Sequence, residues 1–186
     1  ASSVAKGPAA ESFRMLRTHV LNRLGAIGGR ALAVTSPNQR EGKTFVAVNL
    51  AVALSQLAER NAVLVDADLR RPGVLRCLGI DVEAGLTEHL QDGRPLEECL
   101  VRPGLEELIV LPQRHATARS SELLASAQMA QLAEELKRRF PSRIIIYDCP
   151  PLLAADDPLV ELVGEERYLG SVLNNARWHS LPSYHY

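Results

Sequence analysis

The chain has 186 residues, of which 46% are hydrophobic and 23% charged, a composition typical of one globular domain rather than a disordered chain. Its 21 Lys and Arg against 22 Asp and Glu give a net charge of −1, which argues against nucleic acid as a charge-held partner. Its apolar runs are shorter than the roughly 20 residues that span a bilayer. Three widely spaced cysteines favour a reducing cytoplasm over a disulfide framework.

The pattern along the chain alternates between helical and strand-like segments. Residues 1–10 are small and polar, and we expect a flexible lead-in there. Apolar spacing predicts a helix over 11–24, a second helix from Gly42 onward and a third over 121–139, broken near 125–126. Short apolar runs predict buried strands at 31–35, 62–65, 108–111 and 143–147, with a further strand candidate at 168–173.

Buried strands that alternate with amphipathic helices predict an α/β fold, as one domain over residues 1–186. The sheet should be doubly wound and mostly parallel, with helices on both faces. In such sheets ligands bind outside the carboxyl ends of the strands. Three predicted strands end in the polar residues of a loop at 36–44, in Asp66 and Asp68, and in Asp148, so we expect a site there.

The loop after the first strand leads into Gly42, Lys43 and Thr44 at the start of a helix. Backbone N–H groups at a helix N-terminus attract phosphate, a Lys in this position reaches the β- and γ-phosphates, and the following hydroxyl binds Mg²⁺. The full phosphate-loop pattern has Gly where this chain has Pro37. Taken alone, the motif is equally consistent with an exposed turn before a helix.

The aspartates at the strand ends strengthen the phosphate-site interpretation. Asp66 and Asp68 follow one buried strand and Asp148 follows another. A single Asp at such a position is more often a solubilising residue or a helix cap. A carboxylate at the end of a buried strand beside a Gly-Lys-Thr loop is also how P-loop enzymes position Mg²⁺. The combination predicts a P-loop NTPase type of fold.

These motifs together resemble the cytoplasmic kinase domain of the bacterial tyrosine-kinase (BY-kinase) family. The phosphate loop is similar to the family's first Walker motif, and Asp148 with the following Cys-Pro-Pro resembles its Walker B strand. The Val-Asp-Ala-Asp-Leu-Arg-Arg-Pro run at 65–72 resembles its second aspartate motif. Two further stretches resemble family motifs: Glu11, Arg14 and Arg17, and Ser-Glu-Leu-Leu at 121–124.

The resemblance implies ATP or ADP and Mg²⁺ as cofactors. The implied catalytic residues are Lys43, Asp66, Asp68 and Asp148, with Thr44, Asp66 and Asp148 at the metal and Asp68 as the base for the attacking phenol. Arg70 would pair with Asp68 or a phosphate, or form only a surface ion pair. The implied nucleotide-binding residues are Gln39, Arg40, Glu41, Gly42, Lys43, Thr44, Phe45 and Asn174.

Two charged or aromatic segments flank the predicted core. The resemblance implies oligomerisation through Glu11, Arg14 and Arg17, whereas their spacing alone favours an ordinary Glu11–Arg14 pair within the helix. It also implies autophosphorylation in the tail over 178–186, where Tyr184 and Tyr186 are two of the four tyrosines. A chance pair of tyrosines in a frayed terminus is the alternative. The family pattern has a further strand and most of a helix near 160–161 that this sequence lacks.

The function implied by the resemblance is a tyrosine autokinase that regulates exopolysaccharide synthesis and export. It would act as a homo-oligomeric ring at the inner face of the plasma membrane, held there by a transmembrane co-polymerase that activates it or by a missing N-terminal region. A tyrosine phosphatase would remove the phosphate groups. A partition or septum-placement ATPase is one alternative, although those carry an extra Lys where this chain has Asn38. A non-catalytic nucleotide-binding assembly module is the other.

Overall fold

The computed structural model describes residues 4–57, 61–152, 169–172 and 174. The four predicted buried strands are present in these ranges, with helices before and between them. In chain order they are α1 (Pro8–Ala26), β1 (Ala31–Val34), α2 (Lys43–Ser55), β2 (Ala62–Asp66), α3 (Val74–Leu78), α4 (Leu86–Asp92), α5 (Leu96–Cys99), β3 (Ile109–Leu111), α6 (Ser120–Leu124), α7 (Ala127–Arg139) and β4 (Ile144–Asp148).

The four strands form one parallel sheet in the order β1-β4-β2-β3. Asp148 at the end of β4 lies in register with Val34 at the end of β1 and with Asp66 at the end of β2. The carboxyl ends of parallel strands share one edge of the sheet, which is where α/β proteins bind ligands. The start of the loop after β1 and the two aspartates therefore lie next to one another at this edge of the sheet.

Helices cover both faces of the sheet. Ile144 and Ile146 point into a core cluster shared with α1, α2 and α3, whereas Ile145 between them points into a second cluster shared with α4 to α7. This alternation is the period of two expected of a strand buried on both sides. The prediction of a doubly wound parallel sheet is confirmed.

Helix α2 is the central helix of the first face. Its residues from Val46 to Ser55 are all buried, because α2 lies between the sheet and α1. A helix in such a position is apolar all round. Its buried polar residue Asn49 donates from Nδ2 to the Phe45 carbonyl at 2.8 Å and accepts from the Ala5 N–H at 2.6 Å.

Several boundaries differ from the sequence prediction. Helix α1 begins at Pro8, so part of the range expected as a flexible lead-in is helical. The strand candidate at 168–173 is wrong over 169–172, which form no strand, and its two end residues lie outside the described residues. The predicted break near 125–126 is confirmed: α6 ends at Leu124, and the Ser126 hydroxyl caps α7 by accepting from the Met129 N–H.

Candidate active site

The loop between β1 and α2 ends at a glycine whose backbone conformation is strained for any residue with a side chain. Gly42 has a φ of 86°, in the left-handed region. A Cβ atom at this position would lie 1.9 Å from Nδ2 of Asn174, whose amide also donates to the Glu41 carbonyl at 3.0 Å. The structure thus places Asn174 against the phosphate loop, although the two are distant in sequence, and its implied contact with nucleotide stays a prediction.

The remainder of the loop is held by its own polar contacts. The Glu41 carboxylate accepts from the backbone N–H and the side-chain amide of Asn38, each at 3.1 Å. Arg40 adopts a φ of 65°, a conformation that is strained for a residue other than glycine. The Gln39 amide oxygen accepts a hydrogen bond from Arg71, which ties the loop to the aspartate motif.

Asp66 is fully buried behind this loop. Its Oδ2 atom accepts from the N–H groups of Gly73 and Val74 at 3.1 and 3.0 Å, while its Oδ1 atom has no hydrogen-bond partner among the described residues. Burial, with a smaller contribution from the neighbouring Asp148 carboxylate, raises the pKa of Asp66 to about 8. The side chain is held in place and keeps one oxygen available.

Asp148 is equally buried and less satisfied. Neither of its carboxylate oxygens has a hydrogen-bond partner of good geometry in the part of the chain that the structure describes. Burial raises the pKa of Asp148 to about 6, and the Lys43 ammonium and the Thr44 hydroxyl keep it from rising further. Two buried carboxylates therefore lie at adjacent strand ends, and three of their oxygens lack a well-formed hydrogen bond to the described residues.

Thr44 lies against the aspartate motif as well as beside Asp148. A Cβ atom on Gly73 would approach Cγ2 of Thr44 to 3.0 Å and its hydroxyl oxygen to 3.2 Å. The absence of a side chain at Gly73 lets the Thr44 hydroxyl sit close to the backbone N–H that orients Asp66. The three residues expected at the metal, Thr44, Asp66 and Asp148, are thus together.

These three residues fit a magnesium ion. The unpartnered Asp66 and Asp148 oxygens are hard ligands of the type that Mg²⁺ prefers, and burial without a cation is unfavourable for them. The described residues contain no group of three His, Cys, Asp or Glu side chains that could cage a metal. Magnesium sites usually combine one or two carboxylates with substrate phosphates and water.

A lysine of a phosphate loop that has no ligand is expected from the sequence to face solvent, but Lys43 faces inward. Its Nζ atom lies 2.6 Å from Oδ2 of Asp68 and 3.9 Å from Oδ1 of Asp148. The Lys43 and Asp68 side chains are only 10% and 4% exposed. The sequence prediction was wrong because Lys43 meets two carboxylates that are distant in sequence, and ion pairing compensates for its burial.

The motif residues beyond the aspartates connect the site to the loop after β3. Arg70 donates to the Ser121 hydroxyl at 2.8 Å, and among the described residues it forms no ion pair with Asp68 or with a surface carboxylate. The Thr117 N–H donates to the Leu69 carbonyl at 2.8 Å. Sequence reasoning missed the role of Arg71, whose backbone N–H donates to Oδ1 of Asp68 at 3.0 Å.

The predicted oligomerisation residues have partners within the chain. Arg14 pairs with Glu11 one turn earlier on the exposed face of α1. Arg17 donates to the Ala53 carbonyl near the end of α2 at 2.8 Å. The Phe13 ring meets the Phe45 ring edge to face, with centroids 5.7 Å apart. Subunit contact through α1 stays a prediction, as do the nucleotide contacts of Gln39, Arg40 and Phe45.

Two expectations fall beyond the residues that the structure covers. The tail over 178–186, with Tyr184 and Tyr186, lies outside the described residues, and so does the junction near 160–161.

Among the helices that are described, none combines the length and apolarity needed to cross a membrane.

A parallel sheet with a strand–loop–helix around Lys43 and carboxylates at neighbouring strand ends defines a P-loop NTPase. The septum site-determining protein MinD of Pyrococcus horikoshii, solved with Mg-ADP, matches with a TM-score of 0.56 and 27% identity, over 66% of this chain and 49% of that one. The kinase domain of the Escherichia coli tyrosine kinase ETK matches with a TM-score of 0.74 and 30% identity, over 82% and 58%.

Sequence comparison gives the same family. The chain is 32% identical over 152 residues to the tyrosine-protein kinase ptk of Acinetobacter johnsonii, covering 82% of this chain and 20% of that protein. It is 31% identical over 147 residues to the tyrosine-protein kinase YwqD of Bacillus subtilis, covering 79% and 61%. A scan against family profiles finds no match. The chain belongs, as a domain, to the bacterial tyrosine-kinase family, and spans about a fifth of the first of these relatives.

Proposed function

We propose that this domain is a protein-tyrosine kinase that transfers the γ-phosphoryl group of ATP to tyrosine hydroxyls. The observation that carries the proposal is the meeting of Lys43, Asp66, Asp68 and Asp148 at one edge of the sheet, behind a phosphate loop. The relatives named tyrosine-protein kinases support the same activity.

The residues divide the chemistry between them. Lys43 and the N-terminus of α2 bind the phosphates, and Asp68 accepts the proton of the phenol, whose pKa is about 10 when free. The phenol oxygen forms the new bond to the γ-phosphorus, the bond from that phosphorus to the β-phosphate oxygen breaks, and ADP departs. Thr44, Asp66 and Asp148 would hold Mg²⁺, which would neutralise the charge that develops on the phosphates.

The finer part of the proposal concerns the acceptors and the setting. Tyr184 and Tyr186 would be phosphorylated between subunits of a ring that assembles through Glu11, Arg14 and Arg17. Tethering in a ring gives a neighbouring tail an effective concentration in the millimolar range. The domain would serve polysaccharide synthesis and export at the inner face of the plasma membrane, with a transmembrane activator and an opposing phosphatase.

A mixture of two disabled proteins tests both parts. The first carries Lys43→Met and an intact tail, and the second keeps its site but carries Tyr184→Phe and Tyr186→Phe. After incubation with Mg-ATP, phosphotyrosine mapped by mass spectrometry should appear on the tail of the first protein. Labelling of the parent but not of that tail would mean transfer within one chain or another acceptor, such as Tyr168. A parent that binds ATP but gains no phosphotyrosine would refute the kinase proposal and favour a nucleotide-driven switch.

A further inference from the structure

The phosphate-binding lysine and the expected base are bound to each other in this structure. Nζ of Lys43 lies 2.6 Å from Oδ2 of Asp68, and both side chains are almost entirely buried. Asp148 is the other carboxylate near this ammonium, and at 3.9 Å it is beyond hydrogen-bond distance. The contact to Asp68 is therefore the principal one that Lys43 makes.

The pair engages the carboxylate oxygen that Asp68 would use as a base. Oδ1 of Asp68 already accepts the Arg71 N–H at 3.0 Å, so Oδ2 is the oxygen left to accept a proton. That oxygen holds Lys43 instead. Lys43 in turn gives one of its three N–H donors to Asp68, and its attraction to the two carboxylates opposes a movement toward a phosphate. Asp68 cannot accept a proton on Oδ2 until the pair opens.

We propose that the Lys43–Asp68 pair is an inhibitory contact that nucleotide phosphates open by drawing Lys43 away. The base is then available only when nucleotide is bound, which links proton acceptance to the presence of the phosphoryl donor. This inference rests on the proposed kinase function. It also has a consequence of definite sign: Asp68, although needed for catalysis, opposes the binding of nucleotide.

The chain offers a matched internal reference for this pair. It contains three lysines, Lys6, Lys43 and Lys137. Nζ of Lys137 lies 2.6 Å from a Glu134 carboxylate oxygen, the same distance as in the inhibitory pair, but the Lys137 side chain is 40% exposed. Both amines form an ion pair of the same length, so a difference in their reactivity reports the burial of Lys43 and not the ion pair alone.

Acetylation by an activated ester, followed residue by residue with mass spectrometry, tests the closed pair. In the ligand-free parent, Lys43 should react at least about tenfold more slowly than Lys137, because a buried, paired amine is shielded from reagent. Asp68→Asn should accelerate Lys43 severalfold, while the exposed control Asp92→Asn should leave all three lysines unchanged. Asp68→Ala should accelerate the acetylation of Lys43 in the same way, and a thermal unfolding curve verifies that this variant is folded. Equal rates at Lys43 and Lys137 in the parent would overturn the proposal, as would a Lys43 rate unaffected by both variants.

Binding of a fluorescent ADP analogue without Mg²⁺ tests the link to nucleotide. Asp68→Asn should bind about three- to tenfold more tightly than the parent, and Asp92→Asn should bind equally. In a Lys43→Met background the gain from Asp68→Asn should disappear, because there is no lysine left to release. The same gain in both backgrounds would mean simple repulsion between Asp68 and phosphate, and no gain in either would mean no inhibitory contact. Neither readout requires phosphoryl transfer, so a failed kinase assay leaves both results standing.

Discussion

Charged residues lie in two contrasting regions of this domain, the carboxyl edge of the sheet and the outer face of α1. At the sheet edge Asp66 and Asp148 are buried and the Lys43 side chain is only 10% exposed. Within the described part of the chain, three carboxylate oxygens there have no hydrogen-bond partner. On α1 the Glu11 and Arg14 side chains pair with each other in water. Burying charge is unfavourable unless it is fully compensated, whereas an exposed pair changes stability little.

The contrast indicates which charges were placed for function. A satisfied surface pair within one helix is what helical spacing alone produces, so it carries little information. Buried carboxylates that are incompletely paired lower the stability of the folded domain. Such groups are typical of functional sites, where a bound ligand supplies the missing partner. The following predictions test this difference, from the largest expected effect to the smallest.

Substitution of Lys43 should have the largest effect. Lys43→Met should weaken ATP binding by about 10- to 100-fold, the usual range for removing a charged hydrogen-bond partner. It should also lower the free energy of unfolding by about 1–3 kcal/mol, because Asp68 loses its buried cation. Calorimetric titration and chemical denaturation measure the two effects. Lys137→Met is the matched surface control, and unchanged ATP affinity in the Lys43 variant would rule out the phosphate-loop assignment.

Asp66→Asn should make the domain more stable while removing its magnesium site. An Asn oxygen can keep both hydrogen bonds from Gly73 and Val74, and the neutral side chain removes the buried charge. We expect a gain of about 1–3 kcal/mol at pH 8 in the presence of a chelator, the order of magnitude for relieving an uncompensated buried group. Phosphotyrosine formation should be lost at the same time. Asp92→Asn controls for the loss of one negative charge.

The same variant should change how stability depends on pH. The pKa of Asp66 is raised from 3.8 to about 8 on folding, so the folded state binds a proton more tightly than the unfolded state. Stability of the parent should therefore fall as pH rises from about 4 to about 8. In Asp66→Asn the free energy of unfolding, measured without metal from about pH 4 to about pH 8, should decrease less with pH than in the parent. An equal slope in parent and variant would contradict the buried-charge interpretation.

Local patterns predicted much of this structure. Apolar runs indicated the four strands, and strand ends indicated Asp66 and Asp148. The short helices α3, α4 and α5 were not predicted, because each spans only one or two turns and too few positions exist to show a helical period. Gly79, Gly93 and Pro95 interrupt the pattern further.

Contacts between distant residues were beyond sequence reasoning. The pairing of Lys43 with Asp68 depends on how β2 is placed relative to α2, and the bond from Arg17 to Ala53 joins positions 36 residues apart. A sequence motif shows which residue types form a site. Which residue each side chain contacts when no ligand is bound depends on tertiary packing.

Arg17→Ala should have a moderate effect that its place in an oligomerisation motif does not suggest. The guanidinium satisfies the Ala53 carbonyl, one of the last four carbonyls of α2, which have no partner within the helix. Its removal should lower the free energy of unfolding by about 1 kcal/mol. Arg23→Ala, on the exposed side of the same helix, is the control. Equal stability of the two variants would show that the bond to Ala53 does not contribute in solution.

The exposed pair on α1 should matter least to stability. Replacing Glu11 and Arg14 together by Ala should change the free energy of unfolding by no more than about 0.5 kcal/mol, as for other pairs of this spacing. If these side chains contact a neighbouring subunit, however, the double variant should sediment as a smaller species than the parent at equal concentration. Unchanged sedimentation of an oligomeric parent and variant would leave the pair with no role in assembly. A large loss of stability would instead contradict the contrast between buried and exposed charge, because a solvated pair would then behave as a buried one.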